Sequence, residues 1–397
     1  MRRSGPIAPG GNPNAGLWLD AMTISVVSSM NSISAVQWNA LLSDSNPFIR
    51  HEFLAALEDH RCAHRSTGWT PQHLVLTDAN GAVMGAVPLY RKPHSWGEFV
   101  FDWGWANAYA RLGLEYYPKL VSAVPFTPAP GSRLLAVDDG TRDQLAAALI
   151  AHAQAQDLSS VHVLFPLEHE LAALERAGFL LRKDCQFRWR NRGYGNFDDF
   201  ISTFRADKRK KALRERRRVT EAGIQMETVS GAEMSPQLWR TVFAFSERTF
   251  ASHGHEHYLN ADFLQNVARV MPESLMVVMA RSHGQPIAAA IFFRSNDTLY
   301  GRYWGSSGDY HSLHFETCYY QGIDYCIREG LQHFEPGTQG EHKIARGFEP
   351  TCTWSAHWLA DARIRRALHS HLREEAAAVD SYMSAAREHL PFHRDSA

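Results

Sequence analysis

The sequence predicts a mixed α/β protein made of two similar domains in tandem, joined by a strongly basic helix. Three observations carry that prediction. A strand–turn–strand–helix–strand–Gly-Phe–strand order occurs twice. The first copy uses residues 74–76, the Asn80-Gly81 turn, 83–91, 161–165, Gly178-Phe179 and 187–190; the second uses 275–280, His283-Gly284, 286–294, 332–335, Gly347-Phe348 and 353–359. A period that long marks a duplicated domain, because solenoid repeats run to only ~20–50 residues. The chain has 397 residues and 45% hydrophobic content, enough for two cores of ordinary size. Finally, nine basic residues against Asp207 and Glu215 occupy 205–218 of a chain whose net charge is −1. A positive island on an otherwise acidic body is a local binding feature and not a solubility device.

Along the chain, residues 1–30 read as a tail, 31–192 as the first domain, 193–223 as the basic helix, 224–365 as the second domain and 366–397 as a closing helix and tail. Met1-Arg2-Arg3 resembles the start of a secretory signal, but Pro, Gly and Asn follow and Asp20 interrupts the apolar stretch. No apolar run reaches the ~20 residues of a membrane span. The cysteines (Cys62, Cys185, Cys318, Cys326 and Cys352) are odd in number and include no C-x-x-C pair. That argues against a disulfide framework or a structural zinc and for a reducing compartment, so the expected location is the cytoplasm.

In the first domain Pro125, Pro128 and Pro130 bracket Phe126 and Thr127, a density that forces an extended or turning path. Residues 141–156 are rich in Ala and Leu and read as a helix. Asn196 and Asp198 can cap a long helix ending at Gly223. On it Ile201, Phe204, Ala212 and Val219 form one narrow stripe, so the helix should rest on the body along a thin line and project its charge outward. The second domain should carry a helix over 313–328, and 362–387 should close the chain as an amphipathic helix. Gly178-Phe179 and Gly347-Phe348 should each lead into the final strand of their own domain, the glycine in a conformation costly for other residues and the phenylalanine in that domain's core. The two halves should then respond separately to damage.

The densest chemistry lies over 335–348. Glu335 or Glu341 could take a proton from an attacking amine, and so could His342, whose unperturbed pKa is near 6.5. Lys343 and Arg346 could hold a phosphate or carboxylate, and Gly337 and Gly340 allow close backbone approach. The same charges could instead pair with one another in a hydrated loop. His253, His255 and His257 alternate, but no third ligand is identifiable and no established zinc spacing occurs; the stretch is either a substrate-contacting loop that includes His255 or plain surface. Gly305-Ser306-Ser307-Gly308 lies between a strand over 299–304 and the 313–328 helix. Its backbone N–H groups could meet a pyrophosphate, or it could be an ordinary turn. The cations Lys208, Arg209 and Lys211 are the alternative phosphate readers. No aromatic residue is interleaved with them for base readout.

The segment Tyr116-Tyr117-Pro118-Lys119-Leu120, Pro125-Phe126-Thr127-Pro128 and Gly131-Ser132-Arg133-Leu134-Leu135, joined to Phe334-Glu335-Pro336-Gly337-Thr338-Gln339-Gly340-Glu341-His342-Lys343, resembles the bacterial peptidoglycan biosynthesis/recognition proteins. These are predicted N-acyltransferases of the FemAB-like branch of the GNAT superfamily. The resemblance spans roughly residues 34–365 and implies a tandem pair of GNAT-like acyltransferase domains. It also implies transfer of an acyl or aminoacyl group to an amine acceptor, a peptidoglycan-type precursor being one candidate, in a cleft between the halves. Arg302-Tyr303-Trp304-Gly305-Ser306-Ser307-Gly308 is a loose version of the acetyltransferase pyrophosphate loop. The donor is therefore either an acyl-CoA or, as in Fem-type enzymes, an aminoacyl-tRNA, which the basic helix would suit. No metal is implied. Tyr109, Tyr117 and Tyr258 would form substrate walls. A non-catalytic protein that recognises RNA or a cell-wall precursor is the competing reading.

Overall fold

The computed structural model of the protein describes residues 22–338 and 340–393. The first half contributes strands β1 (Thr23–Val27), β2 (Thr70–Pro71), β3 (His73–Thr77), β4 (Val83–Val87), β5 (Leu89–Lys92), β6 (Lys119–Ser122), β7 (Leu135–Ala136), β8 (Ser160–Leu164) and β9 (Leu180–Arg190). The second half contributes β10 (Ile224–Ser230), β11 (Leu275–Ser282), β12 (Gln285–Arg294), β13 (Thr298–Ser306), β14 (His333–Glu335) and β15 (Glu349–Leu359). They form an eleven-stranded sheet of order β10-β11-β12-β13-β14-β9-β15-β8-β6-β5-β2 and a four-stranded sheet of order β1-β3-β4-β7. The duplication is visible in the pairing. Each half has an antiparallel run that ends in one parallel pair, β6 with β8 and β13 with β14.

The first-half sheet is split where its counterpart runs on unbroken. Pro88 has no N–H to give a ladder, and the chain passes from β4 in the small sheet to β5 in the large one at this residue. The kink is satisfied locally. The Leu89 N–H donates to Nδ1 of His73 at 3.1 Å, and the Leu89 carbonyl accepts from the Gln72 N–H at 2.8 Å.

Each half does not close on its own last strand, contrary to expectation. β9 lies between β14 and β15, and β15 lies between β9 and β8, so each half receives its closing strand from the other. Both strands have 11 residues, long enough to serve two cores. Phe187 and Trp189 of β9 pack with Phe292, Leu299 and Phe334 of the second half, and Ala356 and Trp358 of β15 pack with Leu120 and Val161 of the first. Gly178 and Gly347 occupy equivalent places. Each ends a short helix (Leu171–Ala177 and Glu341–Arg346) at φ 99° and 87°, where glycine escapes the Cβ penalty. Each is followed by a buried phenylalanine that anchors its own half's core, Phe179 in the first and Phe348 in the second.

Three expectations are corrected. Part of the expected N-terminal tail is structured: β1 pairs with β3 over five residues, while residues 1–21 lie outside the described part. The long helix from Asn196 to Gly223 is two helices, Phe197–Ser202 and Ala206–Glu221. Phe204 turns inward against Phe392 at the break, where the Arg205 N–H donates to the Pro391 carbonyl and the His393 N–H to the Thr203 carbonyl. The helix expected over 313–328 begins at Leu313 but carries a π turn, Glu316–Tyr320. The closing helix runs Ala362–Glu388, close to its expected bounds.

The exchanged strands should make the halves unfold as one cooperative unit. Phe179→Ala and Phe348→Ala should each cost about 3–5 kcal/mol, as buried phenylalanine truncations do. Each should shift a single shared unfolding transition. Urea titration followed by tryptophan fluorescence and circular dichroism checks this; two resolved transitions would show that the halves unfold apart.

Candidate functional site

β13 and β14 run side by side only from Thr298 opposite His333 to Tyr300 opposite Glu335. β14 then ends at Glu335, while β13 continues to Ser306. The register against β12 shifts here: Ile291 faces Tyr303 but Phe292 faces Gly301, which leaves Arg302 as an extra residue in β13. A bulge of this kind bends a strand and re-aims its side chains. The opening between the parted strands is a recess of about 140 Å³, with Gly301, Arg302, Tyr303, His314, Tyr319 and Pro336 among its lining.

Gly301, Arg302 and Tyr303 also line a second, larger cavity of about 370 Å³ between the halves. Its first-half wall is Phe99, Phe126 and Pro128; its second-half wall includes Phe250, Tyr258 and Tyr303; Gly337 and Thr338 complete it. The two long sequence motifs, far apart in the chain, therefore meet here. Phe126 stacks on Tyr258 with ring centres 4.9 Å apart and planes at 9°, and Phe250 packs edge-on to Tyr258 at 5.0 Å. Phe99 and Phe126 hold φ at 60° and 57°, a left-handed backbone unusual for bulky residues and found preferentially at ligand-binding positions.

Of the expected site residues, Tyr258 and His255 line this cavity. His342 stands outside it but reaches the strand opening through one hydrogen bond, its Nε2 lying 2.8 Å from the Tyr319 hydroxyl. Burial, followed by the Lys343 and Arg346 charges, holds its pKa below the usual value. Lys343 is buried, with its Nζ donating to the Gly337 carbonyl at 2.7 Å, and burial pulls its pKa down to about 7. Arg346 is also buried; it grips both carboxylate oxygens of Glu215 at 2.9 and 2.8 Å, donates to the His342 carbonyl at 2.7 Å and lies over Phe315. These two cations brace the motif loop, and neither is among the described residues lining the cavity or the strand opening.

The remaining expectations fall elsewhere. Glu335 points to a separate recess with Tyr300 and Thr298, where Arg188 pairs with it. Glu341 is exposed and accepts from the Tyr382 hydroxyl at 3.2 Å. Tyr109 is buried against the Ser159 carbonyl at 3.2 Å, and the Tyr117 hydroxyl lies 2.8 Å from Ser95 Oγ, so neither forms the cavity wall. Gly305 is the point where the helix Pro236–Ser252 crosses β13, and a Cβ there would collide with the Phe245 backbone. The Ser307 N–H donates to the Ile287 carbonyl at 2.7 Å and Ser306 Oγ to the Gly308 carbonyl at 2.7 Å. These groups of the Gly305–Gly308 stretch are thus spent inside the protein. Lys208, Arg209 and Lys211 ride the outer side of the basic helix, Lys208 with Asp207 at 3.8 Å. His253 Nδ1 lies 2.8 Å from the Thr249 carbonyl and His257 Nε2 2.9 Å from Ser246 Oγ, and His253 lines the cavity beside His255.

Two features escaped the sequence reading. Arg302 lines the cavity, with its guanidinium 4.6 Å above Phe48 and Nε and Nη2 without hydrogen-bond partners. Burial depresses its pKa. A buried ionic cluster holds segment 93–102, which supplies Phe99 to the wall. Lys119 donates to Glu98 Oε2 at 2.8 Å and Ser95 Oγ at 2.9 Å and pairs with Asp102, while Lys92 donates to the Trp96 carbonyl at 2.8 Å. Burial raises Glu98 to about 6 and lowers Lys92 to about 7. A lysine directly before the apolar run Leu120-Val121 was the available signal for the cluster.

The geometry can be set beside known proteins. The family model described as peptidoglycan biosynthesis/recognition, FemAB-like, matches residues 29–394. No curated protein matches the sequence significantly. Among solved structures, a C-terminal domain from Agrobacterium fabrum assigned as a lysylphosphatidylglycerol synthetase is similar at a TM-score of 0.54 and 9% identity, over 85% of this chain and 95% of that one. FemX is similar at 0.52 and 10% identity, over 85% and 98%. A tandem GNAT protein from the clavulanic acid biosynthesis pathway aligns at 0.45 and 12% identity, over 86% and 99%. The fold is shared with the Agrobacterium domain and with FemX. With its motifs gathered on one interdomain cavity and its family model spanning nearly every described residue, the chain belongs to the FemAB-like peptidoglycan biosynthesis/recognition family.

Proposed function

We propose that the protein transfers an acyl or aminoacyl group from an activated donor to an amine, at the place where the strand opening meets the interdomain cavity. The observation that carries this reading is the shared lining Gly301–Tyr303. Past Tyr300 the edge of β13 has no strand partner on the β14 side among the described residues. Such an edge offers peptide N–H and C=O groups to an extended donor arm much as it would to an added strand. The donor carbonyl would then lie at the bulge and the amine would approach from the cavity.

The chemistry follows from that placement. The amine nitrogen attacks the donor carbonyl carbon, a backbone N–H at the bulge stabilises the oxyanion, and the C–N bond forms as the ester or thioester bond breaks. One proton must leave the amine and one must reach the leaving group. Tyr319, kept protonated by burial, and His342, kept neutral by burial and by the neighbouring cations, form a pair suited to that exchange. The exposed cations Arg209, Lys210, Lys211 and Arg214 favour a polyanionic donor, so aminoacyl-tRNA is preferred over acyl-CoA; a peptidoglycan-type precursor is the preferred acceptor class.

Three outcomes are expected. His342→Gln and Tyr319→Phe should each lower turnover, by about 10²–10⁴-fold for loss of a general base. Glu335→Gln and Glu341→Gln should stay near the parent rate. Steady-state assays with charged tRNA and acyl-CoA donors against an amine panel measure this, and full activity in both His342→Gln and Tyr319→Phe removes the pair from the mechanism.

Replacing Lys208, Arg209, Lys210 and Lys211 together with Gln should weaken charged-tRNA binding. It should also flatten the slope of log K against log salt by about 0.7–0.9 for each phosphate that the helix ceases to neutralise. Acyl-CoA binding should hardly change. Filter binding at several salt concentrations decides; an unaltered slope excludes this helix as the tRNA-binding element.

Lys343 gives a pH signature. Its folded pKa of about 7 lies below the ordinary value of ~10.4. Between those limits the unfolded chain holds the proton and the folded chain does not, so stability rises with pH and its gain is lost as pH falls through 7. Lys343→Met should flatten the melting-temperature profile between pH 7 and 10, and parallel profiles for the two proteins would contradict the assignment.

A further inference from the structure

The interdomain cavity carries one permanent charge. Among the described residues that line it there is no Asp or Glu, and Arg302 is the one Arg or Lys. The nearest candidate to neutralise that charge, Glu335, is held by Arg188 in a different recess. Among the described residues the guanidinium makes no hydrogen bond or ion pair; its close neighbour is the Phe48 ring. The bulge leaves Arg302 as the unpaired extra residue of β13, in the stretch Gly301–Tyr303 that lines the cavity. A cation in such surroundings loses hydration while its counter-charge, Glu335, acts on it without contact, a cost that an arriving anion offsets.

We propose that the cavity binds a ligand carrying a carboxylate and that Arg302 selects it, the acceptor being an amine that also bears a carboxylate, such as an amino acid or the end of a short peptide. The acceptor part of this proposal rests on the transfer reading above. The carboxylate is favoured over a phosphate by charge. A monoanion matches the single guanidinium, whereas a phosphate dianion would bring an unmatched charge among Phe126, Phe250 and Tyr258. The size agrees as well, since about 370 Å³ is at the small end of ligand sites and suits a compact molecule. The stacked rings leave flat apolar faces for its side chain.

The test uses the full chain and matched probes: the dipeptide glycylphenylalanine, its C-terminal amide, and phenyl phosphate, each titrated by calorimetry. The parent protein should bind the acid at least ~10-fold more tightly than the amide, the scale of one charge-assisted hydrogen bond. Arg302→Met and Arg302→Gln should lose that preference. The parent comparison needs no variant, so a misfolded substitution leaves the proposal open to refutation. Equal affinities for acid and amide, no binding at millimolar concentration, tighter binding of phenyl phosphate, or an intact preference in folded Arg302→Met each overturns it. Transfer assays separate the two readings: acid preference without transfer from any donor keeps the carboxylate subsite and removes the transferase role, whereas equal transfer to acid and amide does the reverse.

Discussion

The antiparallel ladder between β9 and β15 is the constraint on which the rest of the molecule depends. It pairs Arg188 with Glu349 at one end and Leu180 with His357 at the other, and each strand ends in the opposite half's core. Two units with private closing strands could pivot about a linker, because ordinary interdomain contacts permit such motion. Here a pivot would have to break backbone hydrogen bonds and pull Trp189 or Trp358 out of its packing. A cavity whose opposite walls come from Phe126 and from Tyr258 keeps its shape only if that relation is rigid.

Each half then adds a buried polar device that sets its own wall. In the second half Arg346 joins the motif loop to Glu215 of the basic helix, and Tyr320 donates to the same carboxylate at 2.6 Å. Lys343 fixes the Gly337 carbonyl from behind. In the first half Lys119, Glu98 and Asp102 fasten the segment that presents Phe99. Buried ion pairs of this kind add little net stability against an apolar replacement, but losing one partner typically costs 3–5 kcal/mol. Their value here is positional. They hold irregular backbone, which neither helix nor sheet can specify, against the cavity.

The electrostatics divide the site into two sides. The basic helix lies on the side of the strand opening, since Arg216 bonds Glu316 in the helix that follows β13. The opposite side is a ring-lined space with one guanidinium. A polyanionic donor and a small acceptor would therefore approach from different directions and meet at the bulge. That arrangement allows the two substrates to be recognised by different physics, long-range charge for one and close packing for the other.

Local pattern alone determined a good deal: the repeated strand order, the two Gly-Phe pairs, the basic run, the helix Ala362–Glu388 and both family motifs. These are properties of consecutive residues, set by periodicity, by the turn geometry of glycine and by local charge. The cavity-lining places of Tyr258 and His255 were legible as aromatic and polar residues in a loop. Only the tertiary structure decided the exchange of β9 and β15, because alternation marks a strand's faces but not its neighbour. It also decided the direction of each charge. Glu335 and Glu341 look equivalent to His342 in sequence, yet one is taken by Arg188, one faces Tyr382, and His342 alone touches a group at the opening. Gly305 read as a phosphate turn is a helix-crossing point, and Arg302 became prominent only when one unpaired residue in a strand left it at the cavity without a partner. Long-range partners settle these outcomes, and no local spacing encodes them.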